Sequence, residues 1–129
     1  MTPPGPALRS PGTRTVVALG IDVVIIAVFT LLGRRTHDEA LDPAGWWHTA
    51  WPFLVGLVLG WALVVVIRRT WPLRWVDGVP VWLATLVTGM LLRAASGQGT
   101  AAPFVVVATL FLAATLIGWR LVAGRLART

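Results

Sequence analysis

Long apolar runs separated by short arginine-bearing segments organise this chain. Residues 16–32, 47–67, 79–95 and 101–122 are almost wholly apolar. An α-helix rises about 1.5 Å per residue, so about 20 residues cross the hydrocarbon core of a bilayer. The pattern predicts an all-α fold, a four-helix transmembrane bundle occupying residues 16–122. A Pro-rich tail over 1–15 precedes it and a basic tail over 123–129 follows. The first tail carries Pro3, Pro4, Pro6 and Pro11, whose missing N–H donors predict disorder. The longest connection, 33–45, is too short to bury a core of its own. The first apolar run is too long for a signal-peptide core, and Gly33-Arg34-Arg35 stands where a cleavage site would lie, so it reads as a retained helix.

Residues at the ends of the runs sharpen these boundaries. Gly33 reads as the C-cap of the first helix, with Arg34 and Arg35 set against the negative end of its dipole. Thr36-His37-Asp38-Glu39 has the form of a capping box, predicting a short surface helix that stops before Pro43. Trp46, Trp47 and Trp51 form an interfacial cluster where the second helix enters, with Pro52 in its first turn. Asp77 is a candidate N-cap for the third helix, which ends near Arg93; Ser96-Gly97-Gln98-Gly99 predicts a tight turn, and Thr100 can cap the fourth helix. The exits Leu31-Leu32-Gly33-Arg34 and Leu91-Leu92-Arg93 resemble each other, as do the entries Trp51-Pro52-Phe53 and Ala102-Pro103-Phe104. Read as a repeat, they make two tandem helical hairpins related by a pseudo-twofold along the membrane normal. Read plainly, they are the arginines and prolines common at helix ends.

Composition changes the picture in three ways. Only 12% of residues are charged, about half the soluble-protein norm of about 25%, so lipid replaces water as the main solvent. The net charge of +6 comes entirely from arginine, and its distribution sets topology. Arg9, Arg14, Arg68, Arg69, Arg74, Arg120, Arg125 and Arg128 fall on one side, against Arg34, Arg35 and Arg93 on the other, which places both termini in the cytoplasm and the chain in the cell membrane. These arginines are dispersed at helix ends, so nucleic acid is not an expected partner. Finally, there is no cysteine and only two histidines, His37 and His48, which exclude disulfides, thiolate chemistry and Cys-ligated metals. No metal site and no cofactor is expected.

Three groups of residues are candidates for function. Asp22 sits inside the first helix, about 9 Å from its cytoplasmic end. A carboxylate there costs roughly 2.5–3.5 kcal/mol at mid-bilayer, less near the edge, and Arg120 is a candidate partner. The pair reads as a proton- or cation-coupled site, as a clamp between the first and fourth helices, or with Asp22 as a neutral protonated carboxyl. On the outer side, Arg34, Arg35, His37 and Arg93, with His48 nearby, can focus a field that draws in an anion. They can equally anchor at headgroups and pair with Asp38, Glu39 and Asp42. Gly56 and Gly60 form a G-x-x-x-G, and Gly89 and Gly118 extend the small-residue pattern, which suits close helix packing within the chain or between copies. Trp61 and Trp82 read as deep residues that fill core or face lipid, with lining a cavity for an apolar ligand as the alternative, and Thr85, Thr88 and Thr109 as bonded to carbonyls of their own helices.

Asp22, Phe29, Gly33-Arg34-Arg35, His37, Pro52-Phe53, Gly56, Val81-Trp82-Leu83-Ala84-Thr85, Gly89-Met90, Leu92-Arg93, Gly97, Gly99, Phe104-Val105 and Gly118-Trp119-Arg120 form a pattern that resembles a bacterial membrane family known only as domain of unknown function 3054. The resemblance spans about 22–120. It implies a four-helix integral membrane protein and carries over no catalytic or binding residue. No nucleophile–base constellation, Walker A loop, H-E-x-x-H or dinucleotide fingerprint occurs. The expected function is therefore non-enzymatic: binding or translocation of a small solute or ion, as a homo-oligomer because four short helices leave little room for a pathway. Alternatives are an assembly partner for another membrane protein and a lipid-modifying enzyme built around Arg34, Arg35, His37 and Arg93.

Overall fold

The computed structural model describes the chain except Met1, Pro4, Pro6, His37, Asp38, Ala40, Thr129 and the side chain of Thr36. Among the described residues, four helices make up the fold: α1 (Thr13–Thr36), α2 (Pro43–Arg68), α3 (Trp75–Ala95) and α4 (Ala102–Leu126). All four are long and apolar enough to cross a membrane, which marks a multi-pass membrane protein. No strand occurs among the described residues. Many large apolar side chains lie exposed along the helices, among them Val16, Val24, Val58, Val66, Val87 and Leu110. In water such a surface would drive association, whereas in hydrocarbon it is the solvated face.

The helices extend beyond the apolar runs. α1 begins at Thr13 and continues through Gly33 to Thr36, so Gly33 is an interior residue and not a C-cap. α2 begins at Pro43, which starts the helix instead of terminating one: its missing N–H costs nothing at N1, and the Asp42 side chain accepts from Gly45 N–H as the N-cap. The interfacial Trp46, Trp47 and Trp51 therefore lie on α2 itself. α3 begins at Trp75, with Arg74 at the N-cap and Asp77 inside the first turn, so Asp77 does not cap it. Ala101, not Thr100, is the N-cap of α4. The expected capping box falls on His37 and Asp38, outside the described residues. Gly97 and Gly99 both take positive φ (78° and 84°), which makes the predicted α3–α4 turn accessible to glycine at little cost.

α2 and α3 share the most extensive interface in the molecule. Gly56 lies where a Cβ would come within 2.8–2.9 Å of Thr85 and Ala84 backbone atoms, and Gly60 where it would come within 2.9 Å of Val81 Cα. The G-x-x-x-G face is thus spent on packing inside the chain. Gly89 makes room for the Phe53 ring. Gly118 has open space where a Cβ would go, and Gly78 takes its place as the close contact on α4, against Ile117 and the Arg120 stem. Thr85 and Thr109 donate to the carbonyls of Val81 and Val105, each one turn back. The chain's four phenylalanines gather between the helices: Phe29 meets Phe53 edge-on at 5.3 Å and stacks on Phe111 at 5.5 Å, and Phe104 lies 6.0 Å from Phe29.

α4 is not uniform. Residues Ala113–Ile117 form a π-helical turn. Such a turn admits one extra residue and shifts the phase of the helix beyond it. Here that segment carries Trp119 and Arg120.

Candidate functional site

Polar chemistry collects at opposite ends of the bundle. At the end holding both termini and the α2–α3 loop, Asp22 and Arg120 meet with side chains wholly buried and a closest N···O distance of 2.7 Å. The longer α1 sets Asp22 about 14 Å in from Thr13, deeper than its apolar run alone suggests. Arg120 forks onto the carboxylate, Nη1 donating to Oδ1 at 3.0 Å and Nη2 to Oδ2 at 2.7 Å. Two indoles complete it: Trp119 Nε1 donates to Oδ1 and Trp61 Nε1 to Oδ2, both at 2.9 Å. An ionised carboxylate has about four acceptor sites, so these four donors saturate Asp22. Two further N–H groups of the guanidinium are also engaged. Nε donates to Pro72 carbonyl at 2.8 Å and Nη1 to Leu116 carbonyl, inside the π-turn, at 2.8 Å.

The network ties together α1, α2, α4 and the α2–α3 loop. Its desolvation cost is offset by bidentate, charge-assisted geometry, a fully paired carboxylate and four engaged guanidinium N–H groups. That closure supports the clamp reading of Asp22 and Arg120. Trp61 and Trp119 were not legible as participants from apolar patterning. The available signal was chemical: an indole N–H deep in an apolar helix needs an acceptor. Replacing Trp61 by phenylalanine keeps most of the ring but removes one donor. The expected loss is about 1 kcal/mol of stability in detergent denaturation; unchanged stability would mean that this bond carries no weight.

A second acid lies close by. Asp77 is buried, and Arg68 Nη1 approaches its Oδ1 to 2.9 Å. The alignment makes an ion pair without a hydrogen bond, and both Asp77 oxygens lack a hydrogen-bond partner. The pair joins the end of α2 to the start of α3.

At the far end, the last turns of α1 and α3 face the first turns of α2 and α4 across a cleft of about 300 Å³. Arg34 enters from α1. It is buried, and its Nη1 donates to Thr49 Oγ1 at 2.8 Å and to Glu39 Oε2 at 3.0 Å. Gly45 leaves the space its guanidinium fills, since a Cβ there would strike Nη2. Arg93 enters from α3. The α3–α4 turn wraps it, with Nε donating to Gly99 carbonyl at 3.2 Å and Nη1 to Gln98 Oε1 at 3.1 Å. Its guanidinium carbon sits 4.3 Å from the Phe104 ring centre, a cation–π contact. His48 and Thr49 contribute from α2, and Phe29 and Phe104 give the cleft an apolar wall.

Of the basic residues singled out on this side, Arg34 and Arg93 are brought together. Arg35 is exposed and lies outside the cleft lining, and His37 lies outside the described residues. Thr49, Gln98 and Gly45 were missed, because their roles depend on the arginines they hold. Among the described residues, Glu39 and Asp42 lie on the Arg34 side of the cleft, whereas Arg93 bonds to the neutral oxygens of Gln98 and Gly99.

Residues 19–123 match the model of a family described as Protein of unknown function (DUF3054). No curated protein and no solved structure matches the chain.

Proposed function

We propose, for a chain that belongs to the DUF3054 family and takes no assigned activity from it, that it is a cell-membrane protein that binds a small anion in the far-end cleft. The observation that carries this reading is the convergence of Arg34 and Arg93, from separate helices, on one cleft with hydroxyl, amide and imidazole groups on its walls. Both guanidiniums are already oriented by Thr49, Glu39, Gln98 and Gly99, so little side-chain freedom is lost when a ligand arrives. Planar guanidiniums suit phosphate and carboxylate oxygens, and half-buried surroundings strengthen the attraction.

The role is binding, or transport of what is bound, and not catalysis. The arginine distribution supports cytoplasmic termini, which turns the cleft outward. Movement of a solute across the membrane would take several copies, since Phe29, Phe53, Phe104 and Phe111 fill the space between these helices.

Calorimetric titration of detergent-solubilised protein with inorganic phosphate tests the reading. Saturable binding is expected, weakened about ten-fold or more by Arg93→Gln, since a charge-assisted contact is worth about 1.5–3 kcal/mol. Arg35→Gln removes the same charge outside the cleft and is expected to bind as wild type does. Absence of saturable binding, or equal loss in both variants, would overturn it.

A further inference from the structure

A second depression begins beside the cleft, one residue along α2. His48 lines the cleft and also stands at the head of an apolar face of α2. Trp51 and Val55 follow one and two turns below on the same side. With Trp47, Leu54, Val58 and Leu59 they line a shallow furrow of about 520 Å³. The furrow runs from Trp47 to Leu59, about 18 Å of helix, against about 15 Å for one leaflet of the hydrocarbon core. Ordinary lipid-facing helix surface needs no such head: here the arginine-bearing cleft and the apolar track meet at neighbouring residues of α2, His48 and Trp47, and the track is about one leaflet deep.

We infer that cleft and furrow together hold one anionic phospholipid, its phosphate beside Arg93 and His48 and one acyl chain along the furrow. The inference rests on the anion-binding reading and names its ligand. Arg93, whose bonds among the described residues go to neutral oxygens of Gln98 and Gly99, selects an anionic head group. The apolar track selects an amphiphile over a free anion, because a soluble ion leaves it unused. Trp47 and Trp51 lie along the chain and report on it directly.

The test uses the full chain in phosphatidylcholine nanodiscs doped with chain-brominated phosphatidylglycerol or chain-brominated phosphatidylcholine, with tryptophan quenching as the readout. The brominated anionic lipid is expected to quench at about ten-fold lower mole fraction than the zwitterionic one. Arg93→Gln removes that preference, Arg35→Gln keeps it, and Trp47→Phe/Trp51→Phe loses most of the preferential quenching. Equal quenching by the two lipids, with phosphate still binding in solution, overturns the lipid assignment and leaves a free anion as the ligand. Equal quenching with no phosphate binding overturns both readings. A preference lost equally in Arg35→Gln reduces the effect to surface charge, and one that survives Trp47→Phe/Trp51→Phe places the chain elsewhere; either result overturns the inference.

Discussion

An Arg120→Leu variant will lose about 3–5 kcal/mol of stability in mixed-micelle denaturation, because it leaves the Asp22 carboxylate buried without its cation. The size follows from closure of the network. Asp22 accepts from Arg120 twice and from two indoles, and its side chain is wholly buried. No water-exposed rotamer offers relief on a residue well inside α1. Leucine also abandons the carbonyls of Pro72 and Leu116, which Arg120 now satisfies. Asp22→Asn/Arg120→Leu should recover part of the loss, since a neutral amide removes the buried charge and still accepts from an indole. A single variant as stable as wild type would show that the pair does not hold α1 to α4.

Gly56→Ala should be the most damaging one-methyl change in the protein, at about 1–3 kcal/mol. Its new Cβ would press on backbone atoms of Thr85 and Ala84 at 2.8–2.9 Å, which cannot rotate away, so α2 and α3 must separate. The separation forfeits the close packing that associates helices in lipid. Gly118→Ala is the matched control. Its methyl enters open space, and alanine is the better helix former, so it should be neutral or stabilising by less than about 1 kcal/mol. Thermal denaturation of the two variants in one detergent checks the contrast. If both fall together, glycine content and not close approach sets stability.

Much of the architecture was legible because lipid imposes it. A backbone cannot cross hydrocarbon except as a helix or closed barrel, so four apolar runs already imply four helices. Asp22 and Arg120 stood out for the same reason, being costly where they sit. What could not be read was which face of each helix points inward. In water an apolar stripe marks the core; here the outer face is as apolar as the inner one, and periodicity carries no inside–outside signal. Phe53 and Val58 look equivalent in the sequence, yet the first is fully buried and the second exposed. Proline misled in the opposite direction. Pro43 looked like a stop, but with Asp42 before it the same ring is a start. At the far end, Arg34 and Arg93 were visible as charges. Their meeting in one cleft depends on Thr49, Gly45 and Gln98, whose side chains, or lack of one, matter only once the helices are packed.

The Asp22 network also bears on how the polypeptide is made. Its two charged members lie 98 residues apart, so α1 enters the bilayer long before α4 has left the ribosome. Until then the nascent carboxylate has Trp61 as the earliest of its partners to arrive and no counter-ion from this network. A product truncated before α4 would hold that acid with the Trp61 indole alone, lacking three of the four donors that saturate it in the finished chain.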